Sequence, residues 1–492
     1  MPSQPISYDK DVIIIGAGIA GICFAYRLQE RNPDLSYLLL EQRNELGGTW
    51  SLFKYPGLRC DSDLYTYGFP WQPWGEREAI AKGPAIMSYM KKVVEHGGIG
   101  KNIRYNQQVS TITWSSKSQS WAVDILKDNE TKETLHSRFI FLNTGYYDYE
   151  QPLQTHIPGI ERFQGDVIHP QLWPEDFDYS NKSVVVIGSG ATAITLLPAM
   201  ADRAQHITML QRSPSYILSM SVEDRLEKLI RMMTPTSLAN KLIRLKWILF
   251  PAIFRKYCIW FPNAARKILR KGTLSQLNDD ETLNPNFNPT YNPFEQRMCM
   301  CPDGDFYRCI REGKASVKTG VIDAITSDSI KLQSGEELHA DIIVTATGLK
   351  LQLGGGIDIH VDEKRFRLNE HFVWKGLMFE GLPNLAFSFG YLDASWTLGV
   401  DNSAKLACRL LKQMKTDQVG VIVPKLSNED TRNMKELRFM PLTSTYVEKA
   451  RSDLPKVGDR GPWRPRSAYV WEKLSVRFGN IRSGLDWIKR NE

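Results

Sequence analysis

Apolar runs that lead through glycine-rich turns into helical patterns occur twice along the chain. Asp11–Ile15 is largely apolar, which predicts a strand buried on both faces of a parallel sheet. The turn Gly16–Gly21 follows, and Ile22–Gln29 has helical periodicity. Ser183–Ile187 opens a second unit, in which a helix follows the turn Gly188–Ala193. The pattern predicts an α/β fold with two Rossmann-like dinucleotide-binding domains.

The first turn has the spacing that holds a dinucleotide. Gly16 permits the tight turn, Gly18 lets the backbone approach a pyrophosphate, and Gly21 allows close packing of helix on strand. A second apolar run, Tyr37–Leu40, ends in Glu41, whose carboxylate can accept hydrogen bonds from ribose hydroxyls. Strand, turn, helix, strand and terminal acid in one compact unit predict a dinucleotide site.

Two further segments indicate that this dinucleotide is FAD. Gly47, Gly48, Thr49 and Trp50 form a loop whose small residues permit close approach to the flavin end of a long cofactor. Much later, the segment 341–348 predicts a buried strand that ends in Ala-Thr-Gly, which resembles the signature of two-dinucleotide flavoproteins. An ordinary buried strand with a glycine stop is the alternative for that segment.

The second unit carries the chemistry expected for NADPH. Its second strand, His206–Leu210, leads into Arg212 and Ser213 and has no carboxylate at its end. Arg212 can bind a ribose 2′-phosphate with charge-assisted hydrogen bonds, and Ser213 can add one more. A surface arginine at a strand end is the alternative. The candidate ligands of this unit are Gly188, Ser189, Gly190, Ala191, Thr192, Ala193, Arg212 and Ser213.

Length, charge and cysteine content indicate the number of domains and argue against several classes of partner and site. The 492 residues suggest two or three domains, and the net charge of +7 is spread along the chain. We find no basic tail or zinc-finger spacing, which argues against a nucleic-acid partner. Seven cysteines without C-x-x-C predict a reducing, cytoplasmic environment and argue against a flavin disulfide reductase. Cys299 and Cys301 lack a second ligand pair, so we expect no metal site.

The segment between the two units carries a family fingerprint. Phe163, Gly165, His169, Trp173 and Pro174 fit F-x-G-x-x-x-H-x-x-x-W-P at every fixed position. The chain here resembles the type I Baeyer–Villiger monooxygenases. The segment 48–61 matches a second family string, and the likeness extends along nearly the whole chain. It is greatest for the subgroup with the mycobacterial FAD-containing monooxygenase that activates ethionamide and other thioamide prodrugs.

This resemblance implies a chemistry and a catalytic pair. Such enzymes use FAD, NADPH and O2 to convert ketones to esters or lactones through a C4a-peroxyflavin, and the subgroup makes sulfoxidation of thioethers or thioamides plausible. The catalytic arginine of the family matches Arg297, and its acidic partner matches Asp61, which is also a cofactor-binding position. A structural ion pair and a loop cap are the respective alternatives. The remaining cofactor-binding candidates are Ala20, Tyr67 and Val109.

Several interpretations stay open beside this one. An N- or S-oxygenase and a flavin-bearing redox sensor are the rival functions. Many family members have a lysine that contacts the NADPH phosphate where this chain has Gln296, so its preference for NADPH can be weaker. For His169, a hinge or packing role fits the linker position better than proton transfer. Trp396 fits a substrate cavity and core packing equally well.

The chain order predicts how the domains are assembled. We expect a FAD-binding domain from 1–148 and 349–492, an NADPH-binding domain from 149–215 and 294–348 with the linker 163–174, and a helical insertion at 216–293. Glu223–Met233 and Leu238–Phe250 are predicted helices of that insertion. The apolar segment from Leu245 to Phe261 can lie on a membrane surface, but Pro251 and the flanking charges favour a core or lid helix.

Overall fold

The computed structural model describes residues 8–127, 131–277, 279, 284–296, 298–392, 394–466 and 468–490. Its strands are β1 (Lys10–Ile15), β2 (Tyr37–Leu40), β3 (Ile103–Arg104), β4 (Gln107–Ser115), β5 (Ser120–Lys127), β6 (Thr131–Leu142), β7 (Asp166–Ile168), β8 (Ser183–Ile187), β9 (His206–Gln211), β10 (Ile217–Met220), β11 (Cys299–Pro302), β12 (Ala315–Thr319), β13 (Ile322–Ile325), β14 (Ser329–Leu332), β15 (Glu337–His339), β16 (Ile342–Thr345), β17 (Asp358–Val361), β18 (Lys364–Arg365), β19 (Val373–Trp374), β20 (Met378–Phe379), β21 (Leu385–Phe387), β22 (Val419–Pro424), β23 (Glu436–Leu437), β24 (Val457–Gly458) and β25 (Leu485–Lys489). Its α-helices are α1 (Ile19–Arg31), α2 (Thr49–Leu52), α3 (Leu64–Tyr67), α4 (Gly83–His96), α5 (Ala191–Met200), α6 (Arg225–Met233), α7 (Thr236–Trp260), α8 (Pro262–Leu277), α9 (Asp305–Arg311), α10 (Trp396–Thr416), α11 (Asn428–Asn433), α12 (Thr445–Lys449) and α13 (Tyr469–Phe478).

The first sheet combines strands from the two ends of the chain. Its order is β18-β17-β4-β5-β6-β1-β2-β3, and β21 also pairs with β6. The long strand β6 pairs antiparallel with β5 along one half and parallel with β1 along the other, where Leu142 lies opposite Ile15. Val12 and Ile14 pack into the core on one face of the sheet, and Ile13 packs into the core on the other. The predicted strand buried on both faces is confirmed.

The second sheet is parallel throughout. Its order is β12-β9-β8-β16-β7, with β8 and β16 inside. Val184 and Val186 pack into the core on one face, and Val185 and Ile187 pack into the core on the other. The strand predicted from the Ala-Thr-Gly segment is β16, an inner strand that pairs with β8 and β7. The two glycine turns therefore follow the carboxyl ends of inner strands in two separate sheets, where doubly wound folds bind ligands.

One predicted helix of the segment 216–293 continues beyond its expected end. We expect a helix that ends at Phe250, but α7 continues through Pro251 to Trp260, so that predicted end is wrong. A proline inside a helix removes one backbone hydrogen bond and usually ends the helix. Tertiary packing overrides that preference here, because Trp247 before the proline and Cys258 after it are both buried.

A buried ion pair joins two distant parts of the chain. The Arg27 Nε on α1 donates to the Asp401 Oδ1 on α10 at 2.6 Å, and both side chains are almost fully buried. Burial alone would raise the Asp401 pKa, but Lys405 and Arg27 outweigh it and hold that pKa below its ordinary value. The Arg27 guanidinium also lies 4.3 Å from the centre of the Trp71 ring. The C-terminal part of the chain is thus fixed to the first nucleotide unit.

The third glycine of the first turn is required by packing. A Cβ at Gly21 would lie 1.8 Å from the Gly16 carbonyl oxygen, closer than any atom pair can approach. The interpretation of Gly21 as the residue that allows helix α1 to pack on the turn is confirmed.

We expect Gly21→Ala to lower stability by about 1–3 kcal/mol, because the added methyl group forces the helix away from the strand. The matched control is Gly272→Ala inside α8, where a Cβ would meet nothing within 4 Å. That change should raise stability by up to about 1 kcal/mol, since alanine favours helix over glycine. Thermal unfolding of both variants measures the difference. Equal midpoints for the two variants would contradict the packing argument.

Candidate active site

A cavity of about 1100 Å³ begins at the carboxyl ends of β1 and β6 and extends to helices α7 and α13. Most of the predicted cofactor residues of the first unit line it: Gly16, Gly18, Ala20, Glu41, Gly48, Thr49, Trp50, Asp61, Tyr67 and Val109. Gly21 lies beneath this surface against Gly16. The structure thus brings together residues that the sequence spreads over almost a hundred positions.

The start of helix α1 has the properties of an anion site. Gly18 precedes the helix with an extended backbone and no side-chain cap, and the first turn contains no acidic residue. Its first N–H groups therefore lack side-chain partners and carry the positive end of the helix dipole. Beside them, the side-chain nitrogen and oxygen of Asn143 are buried without hydrogen-bond partners. These observations fit a bound dinucleotide, whose phosphates and polar groups can pair with these atoms.

Glu41 directly follows strand β2, and its carboxylate contacts the first glycine turn. Its Oε2 accepts a hydrogen bond from the Ala17 backbone N–H at 2.7 Å, and its Oε1 accepts one from the Arg43 N–H at 3.0 Å. Burial raises the pKa of this carboxyl, although both N–H groups act in the opposite direction. The carboxylate thus holds the turn in place and faces the cavity. Its contact with a ribose stays a prediction.

An aromatic wall lies where the flavin end is expected. The Trp50 Nε1 donates to the Tyr67 hydroxyl at 2.7 Å, and the two rings meet edge to face with centroids 5.8 Å apart. Tyr67 ends helix α3, whose first turn is capped by Asp63 through the Thr66 N–H at 2.7 Å. Burial raises the Asp63 pKa to about 6. Next to the wall, the Thr49 and Tyr149 hydroxyl groups are 3.2 Å apart.

The predicted catalytic pair is only partly visible. Asp61 lines the cavity and is half-buried. Arg297 lies outside the described residues, but its chain neighbours Gln296 and Met298 both line the same cavity. Arg59, which is close to Asp61 in sequence, forms a largely buried ion pair with Asp305. The pairing of Asp61 with Arg297 therefore stays a prediction.

The glycine turn of the second unit lies on the surface. A Cβ at Gly188 would lie 2.2 Å from the Ala346 carbonyl oxygen, whereas one at Gly190 would meet nothing within 4 Å. Gly190 and Ala191 are exposed, and helix α5 begins without a side-chain cap or an acid in its first turn. Ala193 is fully buried, as its place in the fingerprint requires. Among the described residues, the lining of the cavity does not include this turn.

The polar side chains around this turn form hydrogen bonds with neighbouring hydroxyl groups. The Ser189 hydroxyl lies 3.0 Å from the Ser215 hydroxyl. Arg212 and Ser213 are both exposed after β9, and the Arg212 Nη2 donates to the Thr445 hydroxyl at 3.0 Å. Thr192 hydrogen-bonds the Tyr55 hydroxyl, whose pKa burial raises to about 12. The Thr445 hydroxyl is neutral and does not compete with an anion for the positive charge of the Arg212 guanidinium. This contact therefore fits an arginine that recognises a phosphate.

The fingerprint linker packs against strand β16 of the second unit and the residues at its two ends. The His169 Nδ1 accepts a hydrogen bond from the Gln171 N–H at 3.2 Å, so the ring carries its proton on Nε2, which donates to the Gly348 carbonyl at 3.3 Å. Burial lowers the His169 pKa and favours this neutral form. A Cβ at Gly165 would lie 2.2 Å from the Asp341 carbonyl oxygen. These contacts favour the packing role over proton transfer.

Local sequence indicates only some of the other residues that line the cavity. Trp396 lines the cavity and also stacks on Tyr146 with centroids 4.7 Å apart, so both alternatives for it apply. Gly390 makes room for it, because a Cβ there would lie 2.3 Å from the Trp396 ring. The sequence does contain an indication for Asn143, because a polar residue directly after a buried strand often lies at a ligand site. Arg464 and Arg466 near the C-terminus also line the cavity, and nothing in their local pattern indicates it.

Comparison with known proteins decides the family. Residues 13–243 match the model described as pyridine nucleotide-disulphide oxidoreductase. The FAD-containing monooxygenase EthA of Mycobacterium tuberculosis is 42% identical over 482 residues, which cover 98% of both chains. The chain belongs to the FAD-containing monooxygenases. This FAD-containing monooxygenase is an oxidoreductase, and the resemblance found in its sequence is confirmed.

Solved structures confirm the fold of this monooxygenase. An oxidised steroid monooxygenase bound to NADP has a TM-score of 0.75 at 19% identity, and the match covers 98% of this chain and 100% of that one. The OTEMO complex with FAD and NADP has a TM-score of 0.73 at 20% identity with the same coverage. The predicted α/β fold with two Rossmann-like dinucleotide-binding domains is confirmed.

Proposed function

We propose that this monooxygenase binds FAD in the cavity and NADPH at the exposed turn of the second unit. With O2 it converts ketones to esters or lactones, and thioethers and thioamides are further substrates. One observation carries this proposal: a single cavity joins the uncapped N-terminus of α1 to an apolar chamber. Leu218, Met220, Met298, Met300 and Phe254 line that chamber. A polar end for a dinucleotide therefore adjoins an apolar end for a substrate.

The residues of the first unit fit FAD. Backbone N–H groups at the start of α1 would bind the pyrophosphate, and the Glu41 carboxylate would accept hydrogen bonds from the ribose hydroxyls. The buried Asn143 amide is available to a polar edge of the cofactor, and the wall of Trp50 and Tyr67 limits where its ring system can lie. When bound, FAD supplies the redox chemistry, accepting hydride from NADPH and activating O2.

The remaining chemistry belongs to the chain. Attack on a ketone carbonyl places negative charge on the substrate oxygen. A permanently charged guanidinium stabilises that charge without any proton transfer. We assign this role to Arg297, and Asp61 orients the guanidinium through a charge-assisted hydrogen bond. The apolar lining excludes water and strengthens both interactions.

The first test removes that guanidinium. In a panel of linear and cyclic ketones with NADPH and O2, Arg297→Ala should lower ester formation by at least about 100-fold. FAD should stay bound, since its binding residues lie elsewhere. Product identification by mass spectrometry and the flavin absorbance of the purified protein measure the two effects.

Arg203→Ala is the control, because this exposed arginine on the second unit pairs with Asp178 and does not line the cavity. Ester formation that survives in Arg297→Ala would refute the assigned role. A wild-type enzyme that yields only N- or S-oxides and no ester would instead establish the heteroatom oxygenase.

The second test concerns the nicotinamide cofactor. We expect Arg212→Ala to raise the KM for NADPH about tenfold while the KM for NADH stays unchanged, because only NADPH has the 2′-phosphate. Steady-state kinetics with both cofactors measure the ratio of the KM for NADPH to the KM for NADH. Arg203→Ala again serves as the control. Equal changes for NADPH and NADH would place phosphate recognition on other residues.

We further propose a cytoplasmic protein with peripheral membrane contact. All seven cysteines lie among the described residues, where they are buried and form no disulfide, which suits a reducing compartment; they are Cys23, Cys60, Cys258, Cys299, Cys301, Cys309 and Cys408. In the part of the chain that the structure describes, no helix is long and apolar enough to cross a bilayer. Contact with a membrane would therefore be made from its surface.

A further inference from the structure

Exposed apolar side chains are concentrated on four helices. Among the described residues, the large apolar side chains that are more than half exposed are all on or between α6, α7, α8 and α13, except Leu172. They are Leu226, Met232, Met233, Phe250, Ile253, Ile259, Trp260, Phe261, Ile268, Trp471 and Phe478. Scattered single exposures are normal for a soluble protein, but a concentration of this size marks an interaction surface.

Helix α7 shows that this exposure follows a face. Leu238, Leu242, Leu245, Leu249 and Ile253 are spaced three or four residues apart, and all are exposed. Such spacing places them along one side of the helix. Other apolar residues of the same helix, Ala239, Ile243 and Trp247, are buried against the protein. The helix therefore has a second apolar side that is left exposed by the residues the structure describes.

The charge of helices α7 and α8 has one sign, whereas Glu227 on α6 is buried and pairs with Lys246 at 2.9 Å. Residues 236–277, which contain α7 and α8, include nine lysines and arginines and no aspartate or glutamate. Lys241, Lys256, Lys267 and Lys271 are exposed among them. Helix α13 adds exposed Lys473 and Arg477 beside its apolar residues, while its one acid, Glu472, pairs with Arg466 at 3.2 Å.

This combination selects one kind of partner. Apolar side chains rimmed by cations match the interface of an anionic bilayer, where lysines contact the headgroups and apolar groups enter the acyl boundary. A second copy of the same surface would bring like charges together, which costs energy. The charge therefore favours a membrane over self-association.

The cavity opens within this surface. Leu249 and Phe250 on α7 and Val470 on α13 line the cavity, and they are 42%, 61% and 48% exposed. Residues that both line a cavity and face solvent mark its mouth. The mouth thus lies between α7 and α13, two of the four helices that carry the exposed apolar residues.

We propose that α6, α7, α8 and α13 form a docking face for an anionic phospholipid bilayer. Apolar substrates dissolved in that bilayer, such as long-chain ketones and thioethers, pass between α7 and α13 into the cavity without crossing bulk water. The docking face stands on the surface alone, and the substrate class rests on the proposed function.

Vesicle co-sedimentation of the FAD-loaded protein tests the docking face. The test variant carries Ile253→Ser, Trp260→Ser, Trp471→Ser and Phe478→Ser, and none of these residues lines the cavity. The control carries Val167→Ser, Leu172→Ser, Val321→Ser and Ile488→Ser, which are exposed apolar residues elsewhere. With phosphatidylglycerol vesicles, the test variant should bind at least about tenfold more weakly than wild type, and the control should bind like wild type.

Binding should also weaken at least about tenfold on pure phosphatidylcholine, which offers no anionic headgroups to the lysines and arginines of the face. High salt should have the same effect, because it screens their attraction to anionic headgroups. Equal binding by wild type and test variant would overturn the proposal. So would wild-type protein that ignores vesicles and forms a dimer that the four substitutions abolish, since a second copy would then cover the face.

Turnover of two ketones tests the route of entry. For a long-chain ketone held in the vesicles, the test variant should lose at least about tenfold in rate, whereas a short water-soluble ketone should react at the wild-type rate. Equal rates on the vesicle-held ketone would overturn the route. Sedimentation needs no turnover, so a protein that binds vesicles but oxidises no ketone would refute the proposed function and leave the docking face standing.

Discussion

The close contact between helix α1 and the turn before it is the constraint on which the first nucleotide site depends. Because Gly21 has no side chain, the helix starts directly against the Gly16 carbonyl, and its unpaired N–H groups point into the cavity. Glu41 holds the turn through the Ala17 N–H at 2.7 Å. Any group that widened this contact would move the positive end of the helix away from the phosphates it is built to hold.

The rest of the cavity comes from distant segments fixed to that turn. The buried pair of Arg27 and Asp401 anchors α10 to α1, and the segment that leads into α13 then completes the wall. Helix α7 supplies the opposite side and continues past Pro251 because buried residues hold it on both sides of the proline. One cavity is thereby made polar at the helix end and apolar at the insertion.

Sequence predicts those features that local pattern determines. Both glycine turns, the buried strands β1 and β8 and the place of Arg212 after a strand follow from spacing and periodicity. The cavity position of Asp61 is indicated only by the family resemblance. The end of α7 does not, since tertiary packing overrides the preference of proline. The cavity positions of Arg464 and Arg466 also depend on contacts between segments far apart in sequence, which periodicity cannot show. The catalytic role of Arg297 and the domain boundaries stay predictions.

In the function proposed above, one oxygen atom of O2 is transferred to an apolar substrate in this cavity while NADPH is oxidised. The most direct measurement is a reaction with a ketone, NADPH and isotopically labelled O2, in which mass spectrometry determines how many labelled oxygen atoms the product contains. We expect an ester with one labelled oxygen, formed at the same rate as NADPH is oxidised. NADPH oxidation that yields only hydrogen peroxide, with no label in any organic product, would contradict it.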